Sequence, residues 1–416
     1  MLALDIPSLQ QETIDLLENT KTLLSQISNT DNYRHQITQQ QELVEKLELR
    51  MSVIAPMKAG KSTIINAMIG QELVPSHNFA MTTLPTELVI NNQLTTSELH
   101  ISELTTQILT DVTQQIQQEI KQQGIDWAYE QTKTYSHLKN LVTELEQGIS
   151  IDSHLIGRST IQSQLEKLNH ISRLSSKLLP ENQWTISHLP RIETPCHSLV
   201  FSSLSQSRLI IVDTPGPNEA GDNHKLSEIV TSQIQKSAMV LFVLDYTNLH
   251  TKAEEDINKE VQKIIELRGK ENLFVLVNKI DERKSEKSLT TEQVKDFVVS
   301  EFGVEKPHIF EISALKAFEA NSFLQRSISF NEFGQKIYKN TWHRMQKVIT
   351  EAELQQDAEQ MWQESGFTVF LHHVIYKLTT SSTHECMRTA IKTAQNCITK
   401  LLLPDTPHTF KCSQSF

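Results

Sequence analysis

Ala55-Pro-Met-Lys-Ala-Gly-Lys-Ser62 follows the short apolar run Met51-Ser-Val-Ile-Ala55 and precedes a helical stretch carrying Ile64, Ile65, Ala67, Met68 and Ile69. An apolar run that stops at Pro56 suits a buried strand ending in a turn. Apart from Ala55 in place of the first glycine, the segment fits G-x-x-x-x-G-K-[ST]. Such a loop turns its backbone N–H groups inward onto phosphate oxygens. Gly60 then permits close backbone approach, Lys61 reaches the β- and γ-phosphates, and the Ser62 hydroxyl ligates Mg2+. The helix that starts here points its positive end at the anion. Met57, Lys58, Ala59, Gly60, Lys61, Ser62 and Thr63 are the expected nucleotide-binding residues of this loop.

Working outward, further apolar runs occur at 88–90, 209–212, 239–244, 273–277 and 308–312, and helical segments at 62–69, 225–236, 253–267 and 291–301 separate several of them. Continuous apolar strands alternating with helices predict an α/β domain, a mostly parallel sheet covered on both faces. The stretch 95–190 departs from that alternation. It is rich in Gln, Leu, Thr and Glu, with Leu104, Ile108, Val112, Ile116 and Ile120 at helical spacing, and reads as a helical insertion. The expected organisation is a helical segment over 1–49, the α/β domain over 50–320 with its insertion, helices over 321–403 and a non-helical tail over 404–416.

Three short motifs close the later strands. Asp213-Thr-Pro-Gly216 places a carboxylate where it can hold Mg2+ through water and the Gly216 N–H where it can meet a γ-phosphate. Asn278-Lys-Ile-Asp281 follows the run 273–277. Asp281 can accept from guanine N1 and N2, a donor pair adenine lacks, and a pocket built for such donors rejects the wrong base. Asn278 braces base and loop, and the Lys279 stem lies on the ring. Ser313-Ala314 stands where a backbone N–H contacts guanine O6. The motifs fall in order at the carboxyl ends of expected strands, the edge at which open α/β sheets bind ligands. A guanine nucleotide, GTP or GDP, is the ligand this implies. A threonine sensing the γ-phosphate is expected in Met81-Thr-Thr-Leu-Pro85. Thr82 is favoured, as a further Mg2+ ligand and a catalytic residue, with Thr83 its rival.

Composition narrows the rest. The chain has 416 residues, 38% hydrophobic and 21% charged, enough apolar material for a packed core. Eleven glycines are few for an all-β protein of many turns. The net charge of −11 argues against broad salt-driven binding to nucleic acid or anionic lipid. No run approaches the roughly 18 apolar residues of a membrane span. Cys196, Cys386, Cys397 and Cys412 form no C-x-x-C pair and read as reduced thiols of a cytoplasmic protein. The sixteen histidines, His77 and His250 among them, show no metal-ligand spacing along the chain.

Lys58–Ser62, Met81–Pro85, Asp213-Thr-Pro-Gly-Pro-Asn-Glu-Ala-Gly221, Val243-Leu-Asp-Tyr-Thr247 and Val277–Asp281 together resemble the bacterial dynamin-like GTPases. The likeness spans about residues 5–400 and points to the branch concerned with replication-clamp binding and chromosome partition. It implies a P-loop GTPase domain with helical insertions, flanked by helices that build a bundle or stalk. It also implies low-affinity nucleotide binding, GTP-dependent pairing of GTPase domains as a homodimer, and association with the replication clamp or nucleoid. The Thr-x-x-Pro register of dynamins favours Thr82.

This chain departs from the family in two places. The last helix gives way to a tail with two prolines, so a shortened stalk is expected. No Gln-Leu-x-Leu-Phe clamp peptide is present; Gln11-Glu-Thr-Ile-Asp-Leu16 is a remote candidate better read as a helix face. A membrane-remodelling dynamin would carry an apolar or basic tip, which these residues lack. Small GTPases orient the attacking water with a glutamine after Asp-x-x-Gly. Pro217 stands there instead, so Lys58 becomes the candidate for a transition-state cation. A scaffold that holds GTP with little hydrolysis, or a membrane-remodelling dynamin, is the alternative reading.

Overall fold

The computed structural model describes residues 6–28, 30–76, 83–133, 138–147, 149–179, 184, 186, 188–196, 208–216, 224–249, 254–283, 288–378 and 383–402. Thr82, Pro217, His77, His250, Cys412 and the tail lie outside them.

Nine strands form one sheet: β1 (Glu48–Ile54), β2 (Thr86–Ile90), β3 (Glu98–His100), β4 (His154–Ile156), β5 (Arg191–Thr194), β6 (Arg208–Asp213), β7 (Met239–Asp245), β8 (Leu273–Asn278) and β9 (Ile309–Glu311). Their spatial order is β4-β3-β5-β2-β6-β1-β7-β8-β9. The half from β1 to β9 is parallel, with Met51 opposite Met239, Asp245 opposite Asn278 and Val277 opposite Glu311. Every residue of β8 is buried, as are the first six of β7. That accounts for their continuous apolar sequences, since each strand is covered on both faces. Val240, Phe242, Leu244, Val275 and Val277 pack with Ile234, Val261, Ile264, Val294 and Val298 from the flanking helices.

The other half of the sheet is mixed. β2 runs antiparallel to β6, with Thr86 opposite Asp213, and parallel to β5. The chain entering β2 therefore arrives at the sheet edge where Asp213 sits.

The insertion is not helical throughout, as its composition led us to expect. It holds helices Glu103–Gln123, Ile125–Gln131, Lys139–Gln147 and Arg158–Leu178, but β3 and β4 lie within it and extend the sheet. Strands of three residues are too short to display a period of two, so only their pairing reveals them. The insertion has its own core, in which Val112, Ile116, Ile120, Leu141, Leu145, Ile171 and Leu174 are buried.

Two compact units divide the chain. The sheet, the insertion and the helices through Ile375 make one. Helices Ile6–Ser25, Asp31–Lys46 and Thr383–Leu402 belong to the other. In this second unit Leu17, Leu24, Ile37, Val44, Met387, Ala390 and Ala394 form a buried seam, and Gln10 Nε2 donates to the Val44 carbonyl (2.7 Å). Gln11–Leu16 lies inside the first helix, with Gln11 Nε2 bonded to Asp15 (2.9 Å), which is the helix-face reading. Among the described residues, no helix is long and apolar enough to cross a membrane.

Candidate nucleotide site

The segment between β1 and helix Lys61–Ile69 turns tightly on itself: Ala59 N–H donates to the Pro56 carbonyl (3.2 Å). Lys58 and Gly60 both hold positive φ, +66° and +96°. Gly60 is required here for two reasons. Its backbone is left-handed, and a Cβ would collide with the side-chain amide of Asn278. Gly60 also caps helix Lys61–Ile69, and its carbonyl accepts from Ile64 N–H (2.9 Å). Met57 and Lys58 are exposed, Ala59 is buried, and Ser62 and Thr63 are half-buried.

Lys61 and Asp213 form an ion pair, with side chains only 6% and 2% exposed. The neighbouring Thr214 donates its hydroxyl to the Val53 carbonyl (2.7 Å). The end of β6 is thereby fixed against β1, and Gly216 is buried beside it.

Asn278, 3% exposed, joins two loops. Its Nδ2 donates to the Ala59 carbonyl (2.8 Å), and its Oδ1 accepts from Ala314 N–H (2.9 Å). Ser313 donates its hydroxyl to Asp281 Oδ1 (2.5 Å) and caps helix Ala314–Leu324. The residues named from sequence at the ends of β1, β6, β8 and β9 thus share one rim of the sheet. Asn66, buried one turn into helix Lys61–Ile69, accepts from the Leu73 and Val74 N–H groups (3.0 Å each) and donates to the Val74 carbonyl (2.7 Å). It fixes the chain that leaves the helix toward β2.

Two partners of these residues escaped the sequence reading. Lys279, itself at φ +69°, donates to Asp245 Oδ2 (2.6 Å). Burial works to raise the Asp245 carboxyl, but donation from Lys279 and then from Thr247 leaves it below the ordinary carboxylate value. The carboxylate therefore stays charged at neutral pH and holds the ammonium end of Lys279, which orients its stem. The signal for Asp245 was its place at the carboxyl end of β7, in register with Asn278.

The second is Asn169, on helix Arg158–Leu178. Its Oδ1 accepts from the Thr83 and Leu84 N–H groups (2.7 and 3.0 Å), and its carbonyl accepts from the Thr83 hydroxyl (2.8 Å). Thr83 is 4% exposed, with its hydroxyl directed to the insertion helix. No local pattern announces this contact, which joins residues 86 apart.

Residues 51–280 match the sequence profile of the dynamin family. Over 367 residues the chain is 26% identical to the clamp-binding protein CrfC of Escherichia coli, covering 83% of this chain and 48% of that protein. Over 285 residues it is 30% identical to the same protein of strain K12, covering 67% and 38%. Dynamin-like protein A of Bacillus subtilis (strain 168) is 21% identical over 313 residues, covering 72% and 24%. The chain thus spans less than half the length of these curated relatives. Among solved structures, a chain of an oligomerised bacterial dynamin pair matches with a TM-score of 0.47 at 15% identity, covering 97% of this chain and 57% of that one.

Proposed function

The chain belongs to the dynamin family, and from that premise we propose that it binds GTP and hydrolyses it to GDP and phosphate. The observation that carries this reading is the lock of Asn278 between Ala59 and Ala314, which makes one cup of the phosphate loop and the base loops. Gly60, Lys61, Ser62 and Gly216 hold the phosphates. Asp281 reads the guanine edge, with Ser313 setting its carboxylate. Calorimetry tests it: GTP binds and ATP does not. Equal uptake of both, or of neither, overturns it.

Ser62 and Thr82, and Asp213 through water, would hold Mg2+. Their donors are hydroxyl and carboxylate oxygens, the hard ligands that ion prefers, and the described pair lies at the phosphate end of the cup. Bound there, Mg2+ neutralises charge on the phosphate oxygens. The hydroxyl of Thr83 is bonded to Asn169, which supports Thr82 as the phosphate-sensing residue. Thr82→Ala is expected to lower kcat by roughly 100-fold or more, the scale of losing one positioned donor. Thr83→Ala is expected to lower the melting midpoint and to change kcat little. The reverse pattern assigns Thr83 instead.

Catalysis uses Lys58, exposed beside Met57 at the mouth of the loop. Two GTPase domains that meet at this face bring Lys58 to the transition state, in place of the glutamine that Pro217 replaces. Turnover per molecule is expected to rise with protein concentration in the parent and to stay flat in Lys58→Ala. A flat parental profile removes pairing-dependent catalysis. Phosphate release near background, with GTP binding intact, leaves the scaffold reading.

The finer role is association with a replication clamp, which the CrfC relatives' name as clamp-binding proteins supports, or with the nucleoid, in the cytoplasm. It is tested by co-sedimentation with purified clamp in GDP and in a transition-state mimic.

A further inference from the structure

We propose that Glu98, His100 and His154, at the β4 end of the sheet, bind a divalent transition-metal ion, with Zn2+ the ion their donors suit.

The chain brings these residues together by strand pairing. Glu98 and His100 are two apart on β3 and so share a face. His154 lies directly opposite His100 on antiparallel β4. Ile101 N–H bonds to the Ser153 carbonyl (2.8 Å) and Gly157 N–H to the Ser97 carbonyl (3.0 Å). The bonded pairs are therefore 97/157 and 101/153, which makes His100/His154 a pair of the non-bonded, closer kind.

Both imidazoles turn the same nitrogen to the same oxygen. His100 Nε2 lies 3.4 Å and His154 Nε2 3.3 Å from Glu98 Oε2. All three donor atoms lie within 4.8 Å of one another; the rings stack with centroids 4.6 Å apart at 20°, so binding splays them until both in-plane lone pairs meet the ion. A tetrahedral zinc with bonds of about 2.0–2.1 Å has ligand–ligand edges of about 3.3–3.4 Å, which the two nitrogen–oxygen distances match. Two neutral imidazoles and a carboxylate are a zinc donor set.

The histidines are 46% and 48% exposed, so solvent takes the fourth position. Arg191, opposite His100 on β5, is itself paired with Glu87 (3.6 Å) and Glu193 (4.0 Å), which offsets its charge beside the site. Glu98 and His154 are 56 residues apart. Three helices of the insertion leave the sheet between them, and a bound ion ties together the two strands from which they emerge.

The test is titration of the full chain with Zn2+ alone, followed by calorimetry, with Co2+ as a spectroscopic probe. One site is expected, weakened at least roughly tenfold by His100→Ala and by His154→Ala and unchanged by His343→Ala, an exposed histidine elsewhere. Zn2+ should raise the melting midpoint of the parent and leave that of the double histidine variant unmoved, while the two midpoints agree in chelator. Bound Co2+ should show no thiolate charge-transfer band, which separates this site from the cysteines. Zinc uptake unaffected by the double variant, a thiolate band, or no uptake by the parent overturns the proposal. Glu98→Gln, which keeps the side chain's shape, gives the same reading should the alanine variants fold poorly.

Discussion

Lys61→Ala is expected to abolish detectable GTP binding in calorimetry. The ammonium is the buried cation at the phosphate end of the cup, and its partner Asp213 is more buried still. Without it, the triphosphate meets the Asp213 carboxylate unneutralised. Charge-assisted hydrogen bonds contribute about 1.5–3 kcal/mol each, so the loss is expected to exceed roughly a hundredfold. A second effect follows with no nucleotide present. Removing one member of a buried ion pair costs about 3–5 kcal/mol, so the variant melts at a distinctly lower temperature. Lys61→Arg keeps the charge against Asp213 and should recover most of that stability, while its bulkier head fails to recover GTP binding. A folded Lys61→Ala protein that takes up GTP as the parent does would end the phosphate-loop assignment.

Asn278→Ala comes second in size. Its side chain satisfies a carbonyl on one loop and an N–H on another, and all three residues are buried. Each backbone group left without a partner costs about 1–3 kcal/mol, so roughly 2–6 kcal/mol of stability is at stake. GTP affinity falls with it, because the phosphate loop and the base loops lose their tie. Asn278→Asp separates the two bonds. It keeps the acceptor for Ala314 but sets an oxygen against the Ala59 carbonyl, so the phosphate loop suffers more than the base loop. Binding of guanosine against GTP reads this directly: Asn278→Asp should lose far more affinity for GTP. Equal losses for both ligands would mean that Asn278 does not transmit between the loops.

The parallel half of the sheet was legible because each of its strands is buried on both faces and announces itself as an apolar run. β7 and β8 are the clearest cases. In the mixed half, β2 and β6 were named by their apolar runs, and β3, β4 and β5 were not. β3, β4 and β5 are three or four residues long, and each carries a charged or histidine side chain. Pairing with distant residues makes them strands, and no local window contains that information. The candidate site divides the same way. Its phosphate and base loops are contiguous motifs, so their members could be named in advance. Asn169 reaches Thr83, and His154 reaches Glu98, across long separations that only the fold brings together. Strand pairing, and no spacing along the chain, brings His100 and His154 opposite one another.

The insertion enters from β3 and returns through β5, and those two strands are paired, with Leu99 opposite Ile192. Its departure and return points are therefore neighbours. Everything between them can be lengthened, exchanged or excised down to a tight hairpin without altering the order of the remaining strands. Such a graft point makes the helical excursion a separable module, open to swapping between homologous chains, provided that the replacement supplies its own apolar interior and a substitute for the Asn169 clasp on Thr83.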